Sequence, residues 1–154
     1  MLFALLLAAA AEFANYPAAA KLARHAAAPR LTTRAARRYR TVLRDEATKG
    51  PNFNGHYRVA DWGCGTNCVE WAILDLDTGS VWMAPAPLES CWTPDLPEHD
   101  DATDWFEMHL DSRLLYVYDC VSNPPVRVWD RRRVYEWREG RLQLVRTESL
   151  KGGR

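Results

Sequence analysis

Residues 50–79 read GPNFNGHYRVADWGCGTNCVEWAILDLDTG, and the reading of this stretch decides the fold. It opens on turn chemistry. Gly50 and Pro51 stop any helix arriving from upstream, and Asn52, Asn54 and Gly55 tolerate tight or left-handed backbone. His56 to Trp62 is then rich in strand-forming side chains, Gly63 and Gly65 bracket Cys64, and the chain returns through Cys68 into a second run, Val69 to Asp77. In that run Trp71, Ala72, Ile73, Leu74 and Leu76 are apolar on both faces, which a strand requires when it is covered above and below. Thr78 and Gly79 supply a tight turn into a third strand, Ser80 to Ala84.

Outward from this hairpin the pattern continues. Trp105 to Leu110 reads as a strand, Asp111 to Arg113 as a turn, and Leu114 to Cys120 as a second strand apolar on both faces. Glu139-Gly140 as a hairpin loop sets Trp137 opposite Leu142 and Tyr135 opposite Leu144 on one face. Glu136 then falls opposite Gln143, and Val134 opposite Val145, on the other. Upstream, Thr32 or Thr33 caps one helix running to Ala47. It places Ala36, Tyr39, Leu43 and Ala47 on its buried side and Arg34, Arg37, Arg38, Arg40 and Arg44 on the other, read as a solvated face with a partner surface as the alternative. The expected fold is mostly β: a single antiparallel sheet curled as a small sandwich or partial barrel, with one N-terminal amphipathic helix.

At 154 residues the chain has the length of one domain with a real core, assigned here to 31–150. Residues 1–11, MLFALLLAAAA, are apolar and end in small residues, as a signal peptide does; cleavage after Ala11 satisfies the small-residue rule better than cleavage after Ala14. No Lys or Arg precedes Lys21, so the positive start of such a leader is missing, as it would be if the true start codon lay further upstream. An apolar helix that stays on the protein is the competing reading. The run is too short to span a membrane, and no transmembrane segment is expected. Residues 12–30, Ala-rich with Pro17 and Pro29, read as a flexible linker.

Formal charge sums to zero but is distributed in blocks. Lys21 to Lys49 holds nine basic residues, and Glu89 to Asp111 holds eight acidic residues with no Lys or Arg. A basic face answered by an acidic loop argues against nucleic acid as a partner.

The Phe53, Gly55, His56, Tyr57 cluster followed by Trp62, Gly63, Cys64, Gly65 and Cys68 resembles a group of small exported bacterial proteins of no established function. Their hallmark is Phe-x-Gly-His-Tyr and then Trp-Gly-Cys-Gly-x-x-Cys. Leu110 to Val117, LDSRLLYV, looks like a second shared segment, and the likeness runs from about Arg40 to Val145. The resemblance implies export and a compact fold; it implies no reaction, ligand or catalytic residue.

Four cysteines, Cys64, Cys68, Cys91 and Cys120, fit an oxidising compartment, periplasmic or secreted. Three pairings are open; proximity favours Cys64 with Cys68, and elimination then leaves Cys91 with Cys120. A catalytic dithiol normally has two residues between its sulfurs at a helix N-terminus, whereas Cys64 and Cys68 have three between them and strands on both sides. A structural disulfide is therefore the expectation, and a thiol oxidoreductase the alternative. A second alternative is a hydrolase using His56 with Asp61 or Asp75, which requires those groups to converge. Glu98, His99, Asp100, Asp101 and Asp104 stand close enough to suggest calcium or another divalent ion, but their spacing matches no calcium loop; a solvated acidic loop, packed against the arginine helix, is the favoured reading, and no metal or other cofactor is expected. With Trp82 and Trp92, Glu98, His99, Asp100 and Asp101 make, together with His56, the candidate binding surface. The expected role is a non-catalytic module binding a protein or an envelope polymer.

Overall fold

Period-two burial sorts eight strands into two antiparallel sheets in the computed structural model, which describes residues 12–22, 24–65, 68–89, 105–119 and 131–149. The first sheet holds β1 (Tyr57–Gly65), β2 (Cys68–Asp75), β3 (Val81–Met83) and β4 (Leu88–Glu89). β2 is central: β1 pairs along one side of it, and β3 and β4 pair in succession along the other. The second sheet runs in order β5 (Phe106–Met108), β6 (Leu114–Asp119), β7 (Arg131–Arg138), β8 (Arg141–Ser149). Both runs read as apolar on two faces, β2 and β6, are thus internal strands.

The register β1 to β2, with Val59 opposite Ile73 and Ala60 opposite Ala72, divides the two faces. Val59, Trp71 and Ile73 face the second sheet and join Phe53, Phe106, Leu115, Val117 and Trp137 in an inner cluster. Ala60, Ala72 and Leu74 face the other way, against Ala36, Leu43 and Ala47 of the helical layer. On the far side of the second sheet Leu114, Tyr116, Tyr118 and Val134 pack with Phe13. The two sheets therefore stack as a small sandwich, flanked by helix on one side and by the N-terminal segment on the other. The mostly β small sandwich expected from the pattern is thus built from two antiparallel ladders.

The helix is broken in two, α1 (Arg34–Arg38) and α2 (Arg40–Thr48). Thr33 caps α1, its hydroxyl accepting from the Ala36 N–H at 3.0 Å. The break is at Tyr39, where ψ reaches 21° and the ring packs against Trp62 at 5.0 Å between centroids.

Composition alone made 12–30 a linker, but the described part of that stretch is hydrogen-bonded across the molecule. Phe13 is 2% exposed and stacks on His109, with centroids 4.1 Å apart; burying such a ring contributes about 1.5–3 kcal/mol. The Ser112 hydroxyl donates within 2.9 Å of both the Phe13 and Tyr16 carbonyls, and Arg113 Nη1 donates to the Pro17 carbonyl. Further on, the N–H groups of Ala27 and Arg30 donate to the carbonyls of Leu76 and Gly79. The segment is a strap. Pro and Ala composition reported only that it forms no long helix, and its main chain finds partners elsewhere.

The last hairpin keeps the expected register near its loop, Trp137 opposite Leu142, Tyr135 opposite Leu144 and Glu136 opposite Gln143. Val134, however, meets Arg146 instead of Val145, because the ladder shifts between Val134 and Tyr135 and leaves Val145 as the extra residue. The shift turns the Arg146 side chain toward Glu12, with which it forms an ion pair.

Candidate functional site

The signature around His56 builds the seat for the strap. Asn52 clamps the free edge of β1, accepting from the Val59 N–H at 2.8 Å and donating to its carbonyl at 3.0 Å. Phe53 is fully buried in the inner cluster, and Asn54, at φ 45°, accepts the Ala19 N–H on its side-chain oxygen at 2.7 Å. Gly55 has φ 80° and lies under the carbonyls of Ala19 and Ala20, so any Cβ there would fall inside those oxygens. These residues dock the strap.

His56 belongs to the same seat. Its Nδ1 lies 2.6 Å from the Ala20 carbonyl, and a carbonyl accepts only, so Nδ1 carries the proton and donates. Nε2 lies 3.6 Å from Asp75 Oδ1, and Asp75 in turn accepts from the N–H groups of Asp77 and Thr78 and from the Thr78 hydroxyl. The pair required by the hydrolase alternative does converge. Yet both ring nitrogens face protein groups, and the carboxylate is occupied by its own turn, so the arrangement holds the strap to the β2–β3 turn. Asp61, the other carboxylate considered, stands opposite Trp71 in the ladder. Burial, reinforced by the Glu46 carboxylate, pushes its carboxyl above the ordinary range.

Cys64 and Cys68 form a disulfide, with Cα atoms 5.2 Å apart, at the exposed tip of the β1–β2 hairpin. Strands flank it on both sides, as expected, and among the described residues no helix N-terminus adjoins it. Trp82 does not project as a binding platform. It is half-buried, edge-on to Trp71 at 5.3 Å and to Trp137 at 6.0 Å. Cys91, Trp92, Glu98, His99, Asp100, Asp101, Asp104 and Cys120 lie outside the described residues. Among those described, no three His, Cys, Asp or Glu side chains gather to hold a metal, and no helix is long and apolar enough to cross a membrane.

A cleft that the sequence reading missed lies between α1 and the loop joining β3 to β4. It measures about 850 Å³ and is lined by Arg34, Arg37, Arg38 and Tyr39 on one side and by Ala84 to Pro87 on the other, with Glu70 and Met83 also contributing. Pro85 and Pro87 interrupt the strand that β3 and β4 would otherwise make along β2, so the loop stands away from the sheet and forms a wall. Arg37 is held by its own backbone surroundings, Nη1 donating to the carbonyls of Leu31 at 3.2 Å and Thr32 at 2.9 Å. Arg38 lies over the Tyr39 ring at 5.4 Å, and the Tyr39 hydroxyl donates to Glu70 Oε1 at 3.3 Å.

Among the described residues, none of the three guanidiniums lining this cleft has a carboxylate within ion-pair distance. In sequence these arginines read first as a solvated helix face and second as a partner surface. What could have drawn attention to them is their number against a Pro-Ala-Pro loop, but only the fold brings residues 34–39 beside 83–87.

Comparison with protein-family models, with curated proteins and with solved structures returns no match.

Proposed function

We propose that the protein is an exported envelope module that acts by binding an anionic partner in the α1 cleft, without catalysis. One observation carries this reading: three arginines line a sizeable cleft and none is neutralised by a carboxylate of the described fold. Charge left unpaired around a concave site is available for a ligand, whereas charge already paired contributes little to recognition. The apolar leader-like start, the disulfide and the resemblance in the Phe53 to Cys68 signature support export. Against catalysis stand the hydrogen bond that ties His56 Nδ1 to the Ala20 carbonyl and the occupation of Asp75 by its own turn.

The test is a fluorescence titration of the purified chain with polyglutamate, polygalacturonate, inorganic polyphosphate and, as the opposite charge, polylysine. At least one polyanion is expected to bind, and the triple variant Arg34→Ala, Arg37→Ala, Arg38→Ala to lose it. Absence of polyanion binding, or binding that the triple variant retains, overturns the cleft. Intact mass of protein recovered from the periplasm tests export separately, with a chain beginning near Glu12 as the expected result.

A further inference from the structure

We infer that the occupant of the cleft is an extended acidic segment of a protein, paired by its main chain to the outer edge of β3; this rests on the cleft being the binding site. The argument begins with the ladder. The Ser80 carbonyl accepts from the Asp75 N–H, and the Ala84 N–H donates to the Trp71 carbonyl, so residues 80, 82 and 84 direct their main-chain groups inward to β2. Alternation then directs the N–H and C=O of Val81 and Met83 outward, where among the described residues they meet no hydrogen-bond partner. Met83 lines the cleft, so this free edge opens beside the arginines. An edge with unpaired N–H and C=O groups is complementary to another extended polypeptide, and a flanking row of positive charge selects one with carboxylate side chains.

Two further observations favour polypeptide over sugar or phosphate polymers. Among the described residues Tyr39 is the only aromatic lining the cleft, and its ring is already packed against Trp62 and covered by Arg38, so those residues offer no open face on which a sugar ring would stack. Glu70 places a carboxylate among the lining residues, and beyond the Tyr39 hydroxyl it has further acceptor capacity for a peptide N–H, which a phosphate or uronate chain does not offer. Arg37 is fixed by Leu31 and Thr32 before any ligand arrives, so part of the ordering cost is already met.

The deciding experiment measures binding of the full chain to a labelled twelve-residue glutamate peptide by fluorescence anisotropy. A second copy of that peptide carries N-methyl groups at every residue, so that neither of its edges can donate, and polygalacturonate, polyphosphate and a DNA oligomer serve as competitors. Single Arg37→Ala and Arg38→Ala variants are expected to weaken the peptide about threefold to fivefold each, in the range of exposed ion pairs. N-methylation leaves every charge in place and is expected to weaken binding about tenfold, because it removes edge hydrogen bonds. Circular dichroism and melting of each variant confirm that the fold is retained. Equal binding of the methylated peptide, or tighter arginine-dependent binding of the glycan, polyphosphate or DNA, overturns the polypeptide assignment while leaving the cleft as the site. Loss of arginine dependence for every probe overturns both.

Discussion

The arginines of the second sheet and those of α1 have similar density in the sequence and opposite circumstances in the fold. Arg131, Arg132, Arg133, Arg138 and Arg146 each meet a carboxylate at 3.1 Å or less, and Asp119, Glu136, Glu148 and Glu12 supply the partners. Arg34, Arg37 and Arg38 meet none among the described residues. The first set ties strands and strap together, while the second surrounds open space. Counting charge therefore says nothing about its use; what separates the two sets is whether the fold carries a carboxylate to the same place. The carboxyls register the pairing. Hydrogen bonds and charge from Arg146 hold Glu12 below the ordinary range. Burial raises Glu136 and Glu148, but their arginine partners outweigh it and both end lowered.

Breaking the paired set at its most buried member has the largest expected effect. Asp119→Ala leaves Arg131 and Arg133 without the carboxylate they share, and a loss of about 3 kcal/mol in urea unfolding is expected, with peptide binding unchanged. The converse experiment removes the unpaired set. Arg34→Ala, Arg37→Ala and Arg38→Ala together are expected to weaken polyanion binding about a hundredfold while stability moves by no more than about 0.5 kcal/mol. A large stability loss in that triple variant would erase the distinction between the two regions.

Glu12 sharpens the comparison through pH. Its carboxylate pairs with Arg146 and accepts from the Tyr116 hydroxyl, whose own ionisation is pushed up by burial and by that carboxylate. Because its folded pKa is depressed from 4.5, the stabilisation is complete above the unfolded value and is lost as pH falls through the folded one. Glu12→Gln is thus expected to cost about 1–2 kcal/mol at pH 7, a difference that chemical denaturation should show shrinking as pH falls below 4.5 and through the depressed folded value.

The smallest effect has the opposite sign. Asp61 is a carboxylate raised by burial, so it opposes folding once pH exceeds its unfolded value near 3.8, and the penalty becomes complete above its folded value. Asp61→Asn is expected to raise stability by about 0.5 kcal/mol at pH 7 and by nothing at pH 3, read from paired melting curves.

Much of the architecture was legible in the chain. Strands apolar on both faces, at Trp71 to Leu74 and Leu114 to Tyr118, announced their internal positions because only a doubly covered strand hides both sets of side chains. The turn at Glu139-Gly140 and the cap at Thr33 were equally local, since positive φ and an N-cap hydroxyl are properties of a few adjacent residues. The bulge at Val145 escaped notice, as it depends on where Arg146 finds Glu12, 134 positions away. His56 appeared as an isolated strand histidine for a similar reason: its partners, Ala20 and Asp75, lie on segments that only folding brings to it.

The sequence by itself determined the antiparallel β character, the internal strands, the capped helix and the close cysteine pair, because each follows from periodicity, turn chemistry or proximity along a few residues. Tertiary structure alone decided that there are two sheets and that the Ala-rich strap is seated on Asn54, Gly55 and His56. It alone decided which arginines are neutralised and which line a cleft. Those outcomes depend on distances between remote residues, and Coulomb and hydrogen-bond energies act over ångströms in space rather than over positions in the chain.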